Sequence, residues 1–365
     1  MAHTNHLYDY SVDGDVRSGV VVGARYELIR EIGKGTFGSI WEALDLLNGH
    51  LRVAIKFLQN TEPSSELKAR FAQECSALEL LVPNPYIVAI RERGMYFGNS
   101  YMVMEMLDGM TLKDWLCCFD SKDLPKLSTV LSIFEQICTG VFSAHSVKLP
   151  GPIVHRDLKP ENIILISQDK PKHQKFQVKI LDFGLARLGN SRISAAGQQL
   201  GTPLYMAPEQ VLGAECDIGP WTDVFALGVI LIEMLTLRPT GPEERSLRGL
   251  VVKLGVDSAL KYLQSQRSDV PIWLWNIVLR SLSAHPNQRY RDAGELLQAL
   301  HAGQKNRIRD KARSVQSLRQ RRFWHQLIVA TVSATLGAGA MRIAAKFSPS
   351  SSLGASHSID ASICK

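Results

Sequence analysis

Three stretches of this chain hold residue types at spacings that chemistry could use. Gly33-Lys34-Gly35-Thr36-Phe37-Gly38-Ser39-Ile40 places glycines where backbone N–H groups can approach a phosphate with no Cβ in the way. By spacing alone this is a dinucleotide fingerprint, a hairpin folded over phosphates, or a flexible turn. A dinucleotide site needs a helix starting at the last glycine and an acidic residue about 20 positions on. The flanks here, Tyr26-Glu27-Leu28-Ile29-Arg30 and Ser39-Ile40-Trp41-Glu42-Ala43, instead read as strands, which favours the hairpin. The second stretch is Val53-Ala54-Ile55-Lys56, an apolar strand holding an ammonium that is costly to bury unpaired. Lys56 either snorkels to water or meets a partner, for which Glu74 on the following helix is the candidate. The third is His155-Arg156-Asp157-Leu158-Lys159-Pro160-Glu161-Asn162, with Asp182-Phe183-Gly184 after it.

Together, and in this order, the three stretches resemble the eukaryotic-type protein kinases. Ala207-Pro208-Glu209, Asp223-Val224-Phe225-Ala226-Leu227-Gly228 and His285-Pro286-Asn287-Gln288-Arg289 are similar to that family's C-lobe signatures, so the resemblance covers roughly 26–300. It implies an α+β, two-lobed kinase fold with a β-rich N-lobe and a helical C-lobe. It implies an enzyme that uses ATP and Mg²⁺, with Mn²⁺ as a substitute, to phosphorylate proteins, itself included, in signalling. Asp157 would serve the acceptor hydroxyl and Lys159 the migrating phosphoryl; Asn162 and Asp182 would hold the metal. Lys56, held by Glu74, would position the α- and β-phosphates. ATP would lie against Ile32, Gly33, Lys34, Gly35, Thr36, Phe37, Gly38, Ser39, Ile40 and Ala54, with Met104 as gatekeeper and the backbone of Glu105 and Leu107 at the adenine edge. Lys159 and Thr202 are what serine/threonine members carry, and Arg70-Phe71-Ala72-Gln73-Glu74 is most like bacterial members. In this family an arginine such as Arg156 often pairs with a phosphate on the activation segment, for which Ser191 and Ser194 are the candidate hydroxyls, Thr202 being structural. A kinase-fold scaffold without catalysis is the alternative, but such chains lose a phosphate-handling residue and this one has all five.

The elements that must position these residues follow from pattern. Residues 1–25 are polar and read as a loose leader. Asn48-Gly49 signals a hairpin turn before a strand over Leu51–Phe57. Glu66–Leu81 has helical period and is ended by Pro83 and Pro85. Tyr101–Met106 reads as a strand, and the chain beyond Gly109 as mostly helical, with short strands near Ile163–Ile166 and Val178–Leu181. The polar run Ser167–Lys175 reads as an enlarged hairpin tip away from the chemistry. The six cysteines form no C-x-x-C pair, which points to a reducing compartment.

The net charge of +7 is concentrated in one place. Residues 301–322 carry eight cations against one anion, while 1–300 are slightly acidic, which argues against a nucleic-acid groove on the folded domain. Residues 323–341, FWHQLIVATVSATLGAGAM, are uncharged and about long enough to cross a hydrocarbon core of roughly 30 Å; a helix packed on the domain surface is the alternative. Trp324 as an interfacial anchor and the preceding cations favour a membrane helix with the 26–300 domain in the cytoplasm, a basic juxtamembrane segment at 301–322 and a short polar tail at 342–365. Ala330, Ala334 and Ala338 form a small-residue stripe that would allow such helices to pair as a homodimer.

Overall fold

The computed structural model describes residues 16–35, 38–58, 72, 75–76, 78–120, 122–148, 151–167, 175–183, 203–212, 218–237, 261–262, 264–265, 267–306 and 309. Residues up to Gly303 belong to one compact unit. Its N-terminal half is a six-stranded antiparallel sheet in the order β1 (Val21–Val22), β2 (Tyr26–Gly35), β3 (Gly38–Asp45), β4 (Leu51–Leu58), β6 (Asn99–Glu105), β5 (Ile90–Tyr96). A three-stranded sheet of β7 (Met110–Thr111), β8 (Ile163–Ser167) and β9 (Phe176–Ile180) follows.

Strand alternation sorts the N-lobe side chains onto two faces. Trp41, Ala43, Val53, Ile55, Phe57, Tyr101 and Val103 fill one apolar cluster. Ala54, Leu58, Met102 and Met104 point the other way, into the main core. The same period carries Lys56 to the face of Ala54, so the lysine enters the interior because of its register in β4. The Asn48-Gly49 turn is present, with Gly49 and the following His50 both at positive φ.

Two elements differ from the sequence reading. The leader is not loose throughout: Val20 and Val22 are fully buried against the outer N-lobe cluster, and Val22 pairs with Tyr26 through β1. Strand β5 was not expected, because Arg91, Glu92 and Arg93 stand among its half-exposed and exposed positions and mask the alternation. Its Gly94 is required by a close approach, since a Cβ there would lie 2.5 Å from the Tyr101 hydroxyl. The expected strand at 101–106 occurs as β6, starting two residues earlier and ending one residue earlier. Residues 168–174 of the expected hairpin tip lie outside the described residues, but β8 and β9 pair across it from Ser167–Phe176 to Ile163–Ile180.

The helical half is built on α2 (Leu127–His145) and α4 (Pro220–Thr236), preceded respectively by the short α1 (Leu112–Cys117) and α3 (Pro208–Leu212). Helix α4 is buried on nearly every side, the pattern of a helix at the centre of a core. It starts at Pro220, whose fixed φ suits a first helical residue. It ends where Leu237 turns left-handed and returns its N–H to the Glu233 carbonyl. Helix α5 (Ile272–Ser281) packs beside it. Among the described residues α2 is the helix long and apolar enough to cross a membrane, and it is a core helix with half of the relevant window buried. The basic segment from 310, the apolar segment 323–341 and the tail 342–365 lie outside the described residues.

Candidate active site

The turn that leads into Asp157 is suspended from one buried carboxylate. Asp223, in the first turn of α4, is 1% exposed. Its Oδ2 accepts the backbone N–H of His155 at 2.7 Å and lies 2.9 Å from Nε2 of His145; its Oδ1 accepts the N–H of Arg156 at 2.9 Å. His145 Nδ1 takes a hydrogen bond from the N–H of Ala293, which leaves its Nε2 as the donor toward Asp223. Burial pushes the Asp223 carboxyl upward, but the hydrogen bonds and charge of His145 and the nearby His155 outweigh it and hold the group below the ordinary range. Arg156 is thereby fixed at φ 64, a left-handed conformation costly for a residue with a Cβ, and its carbonyl accepts from Gln210 of α3.

Asp157 follows directly. Its Oδ2 accepts from Lys159 Nζ at 2.8 Å and from Asn162 Nδ2 at 3.3 Å. The Asn162 amide nitrogen also donates to the Asp157 carbonyl at 2.8 Å across a short 3₁₀ turn, Pro160–Asn162, so its amide oxygen is the atom left for a cation. Across the cleft, Lys56 Nζ meets Asp182 Oδ1 at 2.8 Å. Burial raises the Asp182 carboxyl, and the charge and hydrogen bond of Lys56, aided by His155 and Lys159, more than reverse that and lower it. Asp182 sits at φ 44, and the Phe183 ring after it lies 4.7 Å from the His155 ring.

These groups line one cavity of about 850 Å³. Ile32, Gly33, Lys34, Gly38, Ile40, Ala54 and Lys56 form its sheet side; Met104, Glu105 and Leu107 form the connection; Arg156, Asp157, Lys159, Asn162 and Asp182 form its floor. Gly35 and Ser39 belong to the same hairpin, Gly35 opposite Gly38 and Ser39 opposite Lys34, while Thr36 and Phe37 lie outside the described residues. Glu74, Ser191, Ser194 and Thr202 also lie outside them, so the partner that is described for Lys56 is Asp182. The sequence reading missed Val88, Ile164 and Leu181 in the cavity wall. Ile164 was reachable as the position two beyond Asn162 at strand spacing; Val88 carries no local signal and arrives because its N–H bonds the Ile180 carbonyl.

Two of the C-lobe signatures meet outside the cleft lining. Arg289 donates to both oxygens of Glu209 at 2.8 Å, with side chains 0% and 4% exposed, and Thr222 donates to the same carboxylate. Burial raises the Glu209 carboxyl, but hydrogen bonds from Arg289 and Thr222 lower it overall. This pins α3, and with it the segment at Leu204, Tyr205 and Met206 that borders the cavity. Tyr205 is fixed as well, donating to the buried Glu233.

A sheet lobe and a helical lobe share one cleft, and around it stand a glycine hairpin, a lysine–aspartate pair and an aspartate–lysine–asparagine set. Residues 26–299 match the family described as "Protein kinase domain", and the chain belongs to that family. It is 32% identical over 297 residues to serine/threonine-protein kinase A of Synechocystis, covering 79% of this chain and 55% of that protein. It is 31% identical over 284 residues to serine/threonine-protein kinase PrkC of Bacillus subtilis, covering 75% and 40%. The chain thus spans about half the length of these relatives. The fold is similar to the Mycobacterium tuberculosis PknI kinase domain, with a TM-score of 0.58 and 22% identity over 79% of this chain and 99% of that one.

Replacing Asp223 with alanine would leave two backbone N–H groups and His145 facing a dry void. We expect a loss of about 3–5 kcal/mol of stability, the scale for removing one partner of a buried charged network. Urea unfolding of Asp223→Ala checks this, and a loss below about 1 kcal/mol would contradict the suspended-loop geometry.

Proposed function

We propose that the chain is a serine/threonine protein kinase that moves the γ-phosphoryl of ATP onto hydroxyls of protein substrates. The observation that carries the reading is the convergence of Asp157, Lys159, Asn162, Asp182 and Lys56 on one cleft below the glycine hairpin. The adenine end would rest between Ala54 and the apolar floor near Ile164, with Met104 behind it and the backbone of Glu105 and Leu107 at its edge. Lys56 has its charge directed into the cleft by Asp182, where it can meet the α- and β-phosphates.

The donor set suits a hard cation. Among the described residues no cluster of three or more His, Cys, Asp or Glu forms a cage. Asn162 and Asp182 offer two oxygen donors, as expected for Mg²⁺ or Mn²⁺ completed by phosphate oxygens and water. When bound there, the metal would screen the charge of the phosphate oxygens. Asp157 accepts or orients the proton of the attacking hydroxyl, which is why its carboxylate must be ionised and held by Asn162. Lys159, already paired with Asp157, supplies positive charge beside the migrating phosphoryl. Positioning and charge compensation supply the rate, with no covalent enzyme intermediate. A scaffold without catalysis would not need this complete set.

Regulation and location follow the same reading. The activation segment would be ordered by phosphate on Ser191 or Ser194, read by Arg156, with Thr202 in a structural role. The 323–341 segment would anchor the chain in the cell membrane, with the 26–300 domain on the cytoplasmic side and its pairing stripe allowing phosphorylation in trans. Mass spectrometry of active protein should find phosphate between Asp182 and Glu209; full activity in a Ser191→Ala, Ser194→Ala double variant would reject this control.

The catalytic reading predicts that Asp157→Asn lowers kcat by about 10²–10⁴-fold, the usual range for a positioned acid–base group. Nucleotide affinity should stay within about threefold, because Asp157 serves the hydroxyl and not the nucleotide. Steady-state transfer from labelled ATP and calorimetric titration with MgADP measure the two. Wild-type turnover in the variant would refute the assignment.

A further inference from the structure

Glu105, the last residue of β6, is held at more points than a simple connection between lobes requires. Its backbone N–H donates to the Ala89 carbonyl at 3.0 Å. Its side-chain Oε1 accepts the Ala89 N–H at 2.8 Å, so the two residues exchange a pair of hydrogen bonds. The same Oε1 accepts from Lys179 Nζ of β9 at 2.5 Å, and Lys179 also donates to the Ile87 carbonyl at 3.3 Å. The side chains are 23% and 13% exposed.

The segment these bonds reach is itself stitched to β9. Ile180 donates to the Tyr86 carbonyl at 2.8 Å, and Val88 donates to the Ile180 carbonyl at 3.0 Å. Lys179 therefore ties the start of the interlobe connection to the strand whose continuation, Leu181 and Asp182, lines the cleft. On the outer side Arg52 pairs with Asp108, but those side chains are 43% and 74% exposed, so water and salt weaken that contact. The inner pair is largely desolvated and carries the constraint.

With its N–H committed to Ala89, Glu105 has only its carbonyl oxygen to offer a purine edge. The direction of that carbonyl depends on the peptide plane, and the side-chain bonds fix the residue. An unpaired carboxylate at this depth would turn toward water and release the Ala89 N–H. We propose that the Lys179–Glu105 pair is a positioning device that aims the Glu105 carbonyl at the nucleotide base, setting affinity for the adenine moiety and leaving phosphoryl transfer to the groups on the floor. This rests on the kinase reading above and adds Lys179, which the sequence analysis did not single out, to the residues that serve the nucleotide.

The test uses the full chain and separates the base from the phosphates. Calorimetry with adenosine reports base binding; inorganic tripolyphosphate with Mg²⁺ reports phosphate binding. Lys179→Met should weaken adenosine about tenfold and raise KM for ATP by a similar factor, the size expected for losing one charge-assisted hydrogen bond. Tripolyphosphate binding should change by less than about twofold, and kcat far less than KM. Lys179→Arg, which keeps a donor and the charge, should restore most of the adenosine affinity. Unchanged adenosine affinity would overturn the proposal. So would equal weakening of adenosine and tripolyphosphate, or a rise in kcat with KM unchanged, which would make the pair a restraint on lobe motion. If Lys179→Met does not fold, Glu105→Gln keeps an acceptor for Ala89 and removes only the charge; about threefold weaker adenosine binding is expected, and none would overturn the proposal. Wild-type protein that binds neither probe would contradict the kinase reading itself, so the two failures are distinguishable.

Discussion

The cleft depends on a carboxylate that never touches it. Asp223 stands in the first turn of the most buried helix and receives the N–H groups of His155 and Arg156 together with His145. A charge with so little solvent survives only because both of its oxygens have donors, three in all, and those donors fix where the turn into Asp157 begins. The left-handed φ of Arg156 follows from this, and Asp157 emerges from the constrained turn facing Lys159 and Asn162. The helix supplying the carboxylate is packed almost all round and shares Thr222 with the Glu209–Arg289 pair. The floor of the cleft is therefore referenced to the core and not to a surface loop, which is what a site needing sub-ångström placement requires.

The second constraint is charge balance across the cleft. Asp157 and Asp182 both bring a carboxylate to the cleft, and each is matched by a lysine, Lys159 and Lys56. Lys56 comes from the sheet and Asp182 from the end of the strand beneath it, so their 2.8 Å contact brings the two lobes' chemistry together. Lys179 and Glu105 make a second such link with the signs reversed, a β9 cation meeting a carboxylate of the sheet.

The candidate site residues were legible because chemistry restricts both their type and their spacing. Asp157, Lys159 and Asn162 stand within six positions, closed by the 3₁₀ turn Pro160–Asn162, and strand period alone puts Lys56 on the face of Ala54. The order of a β-rich part and then a helical part showed in the change of period, while the two-lobed kinase fold came from the resemblance that the motifs carry. What could not be read were pairings set by the three-dimensional path. Lys179 and Glu105 are 74 positions apart, and nothing local in either segment marks the other. Glu209 and Arg289 were visible as signatures, yet their union across 80 positions was not. Strand β5 was hidden because its outward residues are charged and its glycine answers to the Tyr101 ring. The buried start at Val20–Val22 was hidden because a two-residue strand is too short to display a period.

The central claim is that this cleft transfers a phosphoryl group to an aliphatic protein hydroxyl. The most direct measurement is to incubate the full chain with γ-labelled ATP and Mg²⁺, hydrolyse the labelled protein in acid, and separate the phosphoamino acids. The account predicts label in phosphoserine or phosphothreonine, none in phosphotyrosine, and none when divalent metal is chelated. Label confined to phosphotyrosine, transfer that persists in excess chelator, or no transfer by protein that binds MgATP would contradict it.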